Sequence, residues 1–268
     1  MLNHYVKKAR EQVDMSCVKA VGIDETSSRR GHNYITCFVD LAKSQIIYVT
    51  EGKGKETVAE FKKDLVQHQG SPQNIKTMCC DLSPAFISGV QKEFPDAALT
   101  FDRFHIMKII NEAVDKVRRE ESKINPLLHG TRYLWLKNEI NLTAKQRQKF
   151  ESIRNLRCKT GKAYQLKVTF QKLFLQPDKI AAEQFLAKWY SWARRCRLEP
   201  MKQAAKTIDR HRQGVLNWFD SKVSNGVLEG INSLIQAAKA RARGYRSTTN
   251  LKTIAYMIAG KLNFGLTI

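Results

Sequence analysis

Val18-Lys19-Ala20-Val21-Gly22-Ile23-Asp24 reads as a buried strand with a carboxylate at its C-terminal end. Residues 34–41 and 45–50 are two further strand-like runs, and the short link Ala42-Lys43-Ser44 favours an antiparallel hairpin between them. Residues 56–68 read as a helix. Val58, Phe61 and Leu65 lie on one side of it, and Gly70 and Pro72 follow. Residues 75–80 make the next strand, and Asp81 follows it directly. Ser83-Pro84 opens a second helix, with Ser as a cap and Pro at the first position. That helix ends near Phe94-Pro95, and residues 97–101 form a fifth strand. The order predicts a mixed sheet with a parallel half and an antiparallel edge. Periodicity alone stops at "mixed α/β".

Two of these strands end in aspartates, Asp24 and Asp81. Ligand and catalytic groups in open α/β sheets collect outside the carboxyl ends of strands. A third carboxylate lies in Ser224-Asn225-Gly226-Val227-Leu228-Glu229-Gly230-Ile231-Asn232, near the start of a helix that runs on into Lys239, Arg241, Arg243 and Arg246. Leu228, Ile231, Leu234, Ile235 and Ala238 recur at helical spacing and predict a core face. Glu229, Asn232, Gln236 and Arg243 fall on another face. Each acid also has a plainer reading. Glu229 suits a helix N-terminus electrostatically, and the two Asp suit turns. Glu25 competes with Asp24, but neighbours on a strand point to opposite faces, so only one can aim at a shared site. Three converging carboxylates with no matching His or Cys set suit a hard cation, Mg²⁺ or Mn²⁺, and not zinc.

Gly22-Ile23-Asp24-Glu25, Cys80-Asp81-Leu82-Ser83, Asp102-Arg103-Phe104-His105, the stretch from Ser224 to Asn232, and Arg243-Gly244-Tyr245-Arg246 together resemble the DDE transposases of the ISL-three type of bacterial insertion sequences. The resemblance runs from about Val18 to the C-terminus. It implies an α/β, ribonuclease-H-like fold: a mixed five-stranded sheet with a mostly α-helical insertion before the Glu-bearing helix. It implies two divalent metal ions, Mg²⁺ or Mn²⁺, and metal-dependent DNA strand cleavage and transfer. By motif position it makes Asp24, Asp81 and Glu229 both catalytic residues and metal ligands. The implied partner is double-stranded DNA, as transposon ends and target, with a homodimer on DNA as a further expectation. Such transposases carry an N-terminal zinc-binding segment and a helix-turn-helix. Here residues 1–17 precede the first strand, and Cys17, Cys37, Cys79, Cys80, Cys158 and Cys196 show no C-x-x-C spacing. The expectation is a catalytic domain or truncated copy. Its parts are an N-terminal helical remnant (1–17), the first part of the core (18–110), a helical insertion (111–222) and a C-terminal catalytic helix with a basic tail (223–268).

Charge points to the same partner. The net charge of the 268 residues is +21. Residues 1–100 carry 13 Lys and Arg against 12 Asp and Glu, whereas residues 101–268 carry 33 against 13. Residues 230–268 contain no acid. A nucleic-acid partner is the first reading of such an asymmetry. No long apolar run supports a membrane role, no secretory signal is visible, and unpatterned cysteines fit a reducing bacterial cytoplasm. Candidate DNA contacts are Arg29, Arg30 and His32 in a basic turn, Arg103 and His105, and Asn232, Lys239, Arg241, Arg243, Tyr245 and Arg246. Asp102 reads as a neighbour of the metals and His105 as a phosphate contact or a proton donor to a leaving group; the alternative is a structural cap with Arg103 pairing Asp102. In residues 180–198, Phe185, Leu186, Trp189, Trp192, Ala193 and Cys196 predict one buried helical face. Two other functions stay open: a structure-selective nuclease on the same fold, and a non-catalytic DNA-binding remnant.

Overall fold

The computed structural model describes residues 1–29, 31–154, 158–223 and 226–265. The chain forms two compact units, Met1–Arg103 with Ser221–Ile268, and Phe104–Asp220. The first is built on one five-stranded sheet of β1 (Ala20–Arg29), β2 (Asn33–Asp40), β3 (Gln45–Glu51), β4 (Thr77–Cys80) and β5 (Ala98–Phe101), in the order β3-β2-β1-β4-β5. The pairs β1–β2 and β2–β3 are antiparallel, and β1–β4 and β4–β5 are parallel. The predicted mixed sheet is present, but β1 is longer than expected. It runs to Arg29, so Ser27 and Ser28 are strand residues and not part of a loop, and Asp24 lies within the strand opposite Cys37. The physical reason is unequal pairing. On its antiparallel side β1 is held as far as Arg29, whereas its parallel pairing with β4 stops at Gly22. Asp24 therefore still lies past the end of the parallel ladder.

Helices cover both faces of the sheet. They are α1 (Leu2–Arg10), α2 (Glu56–Gln67), α3 (Pro84–Glu93), and, after the second unit, α12 (Gly226–Arg241) and α13 (Thr248–Ala259). Alternation along β2 makes this possible, since successive side chains point to opposite faces. Ile35, Cys37 and Val39 enter a cluster with Leu228, Ile231 and Ile235 of α12 and Leu251, Ala255 and Tyr256 of α13. Phe38, between them, points the other way and stacks on Phe61 of α2 with ring centroids 4.4 Å apart. Pro84 takes the first turn of α3 as expected, but Ser83 makes no side-chain cap. Its backbone N–H instead donates to the Asp81 carboxylate at 2.9 Å. The segment expected to be an N-terminal remnant contributes α1, whose Val6 joins the core cluster. Arg10 bonds Asp64 at 2.7 Å, and its guanidinium also donates to the Tyr256 hydroxyl. That hydroxyl accepts the Val49 N–H as well, at 2.9 Å. Burial pushes the Tyr256 phenol pKa up, which keeps it neutral.

The second unit is helical: α4 (Arg103–Glu121, starting at the junction), α5 (Arg132–Leu136), α6 (Ala144–Ile153), α7 (Lys159–Gln171), α8 (Lys179–Arg194), α9 (Glu199–Arg210), α10 (Arg212–Leu216) and α11 (Trp218–Ser221, ending past it). Trp135, Phe150 and Tyr164 meet edge to face, with centroids 5.3–5.5 Å apart. On α8 the predicted face is only partly buried. Leu186, Trp189 and Ala193 are core, but Trp192 is 37% exposed. It sits three residues beyond Trp189, at the rim of the apolar stripe.

Lys167 is buried, and its ammonium donates to the carbonyls of Trp135, Leu136 and Lys137 at 2.9, 2.5 and 3.3 Å. It closes the C-terminal end of α5, whose last carbonyls have no helical partner. Burial lowers its pKa to about 8. Between that value and the ordinary value of about 10.5 the unfolded chain holds a proton that the folded chain has shed. Stability therefore rises with pH through this window. Lys167→Met is expected to strand the three carbonyls, lowering stability by about 1–3 kcal/mol at pH 7. It should also remove that part of the pH dependence. Denaturant melts from pH 7 to 10.5 read both effects, and an unchanged pH profile would show that Lys167 does not titrate as argued.

Candidate active site

Hydrogen-bond register places the aspartates. Gly22 pairs with Cys79 in the parallel ladder, so two residues further on Asp24 and Asp81 stand at the same level of neighbouring strands. Cys80 pairs with Phe101, so Asp81 and Asp102 are likewise level, and the Asp102 N–H donates to the Cys80 carbonyl at 3.3 Å. Neighbouring strands are about 4.8 Å apart. Asp24 thus lies past the end of the β1–β4 pairing, and Asp81 and Asp102 directly follow β4 and β5. The thiols beneath report the crowding of negative charge. Burial pushes Cys79 up, and the charges of Asp102 and Asp24 add to this. Cys80 is raised by burial, then by Cys79, Asp81 and Asp24. Cys37, opposite Asp24, is pushed up to about 12 by burial and then by Asp24. These thiols are neutral and inert near pH 7.

The carboxylates are held individually. Asp24 accepts the Glu25 N–H at 2.8 Å on Oδ1 and the Asn232 side-chain amide at 2.7 Å on Oδ2. Asp81 accepts the Ser83 N–H and opens the turn into α3. Glu229 lies in the first turn of α12 and is exposed. Asn232 is three residues further along the same stripe, so Glu229 stands one turn from the residue that grips Asp24. Among the described residues no three His, Cys, Asp or Glu side chains come close enough together to hold a metal ion.

α12 runs alongside β1. After Asn232 on Asp24, Gln236 donates to Thr26 Oγ1 at 2.6 Å and to the Ser27 carbonyl at 3.0 Å, and Lys239 donates to the same carbonyl at 2.7 Å. The expected core face of this helix holds for Leu228, Ile231 and Ile235, whereas Leu234 is 55% exposed. The close approach depends on Gly22. A Cβ there would lie 2.4 Å from Leu228 Cδ1 and 2.9 Å from Leu41 Cδ2. Gly22→Val is therefore expected to push back the turn that carries Glu229. Overpacking costs about 1–3 kcal/mol, and a shift of about 1 Å in an active group costs ~10²-fold in rate. Thermal melts and cleavage assays on one preparation check this. Undiminished cleavage would mean that the contact does not position Glu229.

Of the expected DNA contacts, Asn232 is turned onto Asp24 and serves the carboxylate. Lys239 is anchored on β1, and Tyr245 packs against the apolar cluster. The Arg29 guanidinium donates to the Arg246 carbonyl. His32, Arg103, Arg241, Arg243 and Arg246 are exposed, and His105 is half-buried in α4 of the second unit. Arg30, like Ser224 and Asn225 of the quoted motif, lies outside the described residues. Gln236 and Gly22 were not recognised as site residues. The spacing 229, 232, 236, 239 was the available signal for Gln236.

The family model described as "Transposase", that of the ISL3 type of DDE enzyme, matches residues 21–255. The chain is 26% identical over 241 residues to the transposase for insertion sequence element IS1001 of Bordetella parapertussis, covering 87% of this chain and 59% of that protein. It is 27% identical over 268 residues to the transposase for insertion sequence element IS1557 of Mycobacterium tuberculosis, covering 90% of this chain and 60% of that protein. The chain thus spans about 60% of the length of these curated relatives. With a match over most of its length, the chain belongs to the ISL3-type family of DDE transposases.

Proposed function

We propose that this chain carries the catalytic centre for DNA transposition: cleavage of double-stranded DNA at insertion-sequence ends, then joining of the freed end to target DNA. The observation that supports the reading is that Asp24 and Asp81 follow the parallel pairing of β1 with β4, with Glu229 on the helix whose Asn232 bonds Asp24. In the first step a water oxygen attacks phosphorus, a P–O bond forms, and the P–O3′ bond breaks. The 3′ oxygen leaves with a proton and the phosphate stays on the 5′ side. In the second step that 3′-OH attacks a target phosphorus and displaces the target's own 3′ oxygen.

The donors suit a hard divalent cation, since all three are carboxylates. Asp24, Asp81 and Glu229 would be the residues that hold the two divalent ions, Mg²⁺ or Mn²⁺. Glu229 is exposed in the first turn of α12. Such ions would activate the attacking oxygen and stabilise the leaving one. Asn232 keeps the Asp24 carboxylate aimed, and the Ser83 N–H does the same for Asp81. The basic residues would hold the DNA backbone, and assembly as a homodimer on DNA belongs to the same reading. No helix among the described residues is long and apolar enough to cross a membrane.

Incubating the purified chain with labelled linear duplex carrying candidate terminal inverted repeats, with Mg²⁺ or Mn²⁺, tests the proposal. Cuts at the repeat ends support it. Cuts only at junctions or branches favour a structure-selective nuclease, and binding without cutting favours a non-catalytic remnant.

A further inference from the structure

We infer that a groove at the far end of α12 holds a backbone phosphate of the DNA, no more than about five nucleotides from the bond that is cut; this rests on the reading above. The groove has a volume of about 380 Å³, and Ser28, Arg29, Gln236, Lys239, Arg243 and Tyr245 line it. Among the described residues lining it there are three cations and no carboxylate.

The side chains come from β1, α12 and the turn after it, and three of them are held by hydrogen bonds. Lys239 reaches across to the Ser27 carbonyl at 2.7 Å, and Gln236 bonds the same carbonyl. The Arg29 guanidinium is braced on the Arg246 carbonyl. Beyond the helix the chain reverses through Arg243 (φ 54°) and Gly244 (φ 94°), with the Gly244 N–H donating to the Lys239 carbonyl at 2.8 Å. This is a Schellman-type ending. It turns Arg243 and Tyr245 back along the groove, and Tyr245 is held by the apolar cluster.

The plainer reading is that cations at a helix C-terminus answer the helix dipole. That explains Lys239 and Arg243, but not why Lys239 leaves its own helix for β1, nor why Arg29 arrives from β1. Three like charges converging on one concavity make it attractive to an anion.

The helix sets the distance to the cut. Glu229 and Lys239 share a stripe and are ten residues apart, which is ~15 Å along the axis at 1.5 Å per residue. Duplex DNA rises about 3.4 Å per nucleotide of one strand, so that span covers at most four to five nucleotides.

The test replaces Tyr245 with the photoreactive residue p-benzoylphenylalanine. The protein is mixed with end-labelled duplex, irradiated, and then given Mn²⁺. Each crosslink is mapped against the new end on the same molecule, so no fixed binding register is needed. Crosslinks within about five nucleotides of the cut are expected. Crosslinks more than about a helical turn away, or none at all, overturn the inference. In parallel, Lys239→Gln and Arg243→Gln should each flatten the log–log salt dependence of binding by about 0.9. Lys63→Gln, on the exposed side of α2, should not change it. If the chain binds but never cuts, the catalytic reading fails and the salt slopes decide the groove. Unchanged slopes in both variants overturn it.

Discussion

Asp81→Asn lowers DNA cleavage by at least about 10³-fold while DNA binding stays equal or tightens. Asn keeps the shape of Asp but loses the charge that would hold a divalent ion, and such an ion is worth several kcal/mol in the transition state. About 4 kcal/mol corresponds to ~10³-fold in rate. The fold should survive, because the Asn carbonyl can still accept the Ser83 N–H that Asp81 now accepts. Binding rests on Lys and Arg, and removing one negative charge beside phosphate eases repulsion. Asp24→Asn and Glu229→Gln should behave alike, and the double variants should be no worse than the singles, because the three act as a unit. Cleavage of a labelled duplex and gel shifts on the same preparations measure both effects. Wild-type cutting by Asp81→Asn would reject its role as a ligand. Unfolding of all three variants would reassign the acids to structure.

Salt should weaken binding even more steeply. Residues 101–268 hold 33 Lys and Arg against 13 Asp and Glu, and the last 39 residues, 230–268, have no acid. Each phosphate neutralised on duplex DNA adds about 0.9 to the log–log salt slope. With about six to ten contacts, affinity falls ~10³–10⁵-fold between about 50 and 200 mM salt. Sequence should matter little to this term, because phosphates carry no base identity. Fluorescence anisotropy on two unrelated duplexes would give the slopes. A slope near zero would remove DNA as the partner of the basic surface.

Much of the sheet was legible in the chain. The short link before β3 predicted a hairpin, and the structure has it, with Ser44 in the turn at φ 50°. Pro84 in the first turn of α3 and the apolar spacing of Leu228, Ile231 and Ile235 also came through. These features are local, and each follows from a period or a backbone restriction of a few neighbouring residues. The end of β1 did not come through. Ser27 and Ser28 have loop-like chemistry, but pairing with β2 keeps them extended. Trp192 and Leu234 were placed in cores on spacing, yet a stripe's width depends on what packs against it.

The sequence by itself determined the three acids Asp24, Asp81 and Glu229 as candidates, the basic character of residues 101–268, and the mixed order of strands and helices. Motif, charge and periodicity are written in the chain and need no partner to be read. Only the tertiary structure decided that β4 lies between β1 and β5, that Asn232 bonds Asp24, and that Arg10 of α1 is tied to Asp64 and Tyr256. These facts depend on register and docking. A slip of one residue between β1 and β4 would send one of the two aspartates to the other face of the sheet. Nothing in the local pattern of either strand sets that offset. It is a property of the assembled sheet, in which Gly22 stands opposite Cys79.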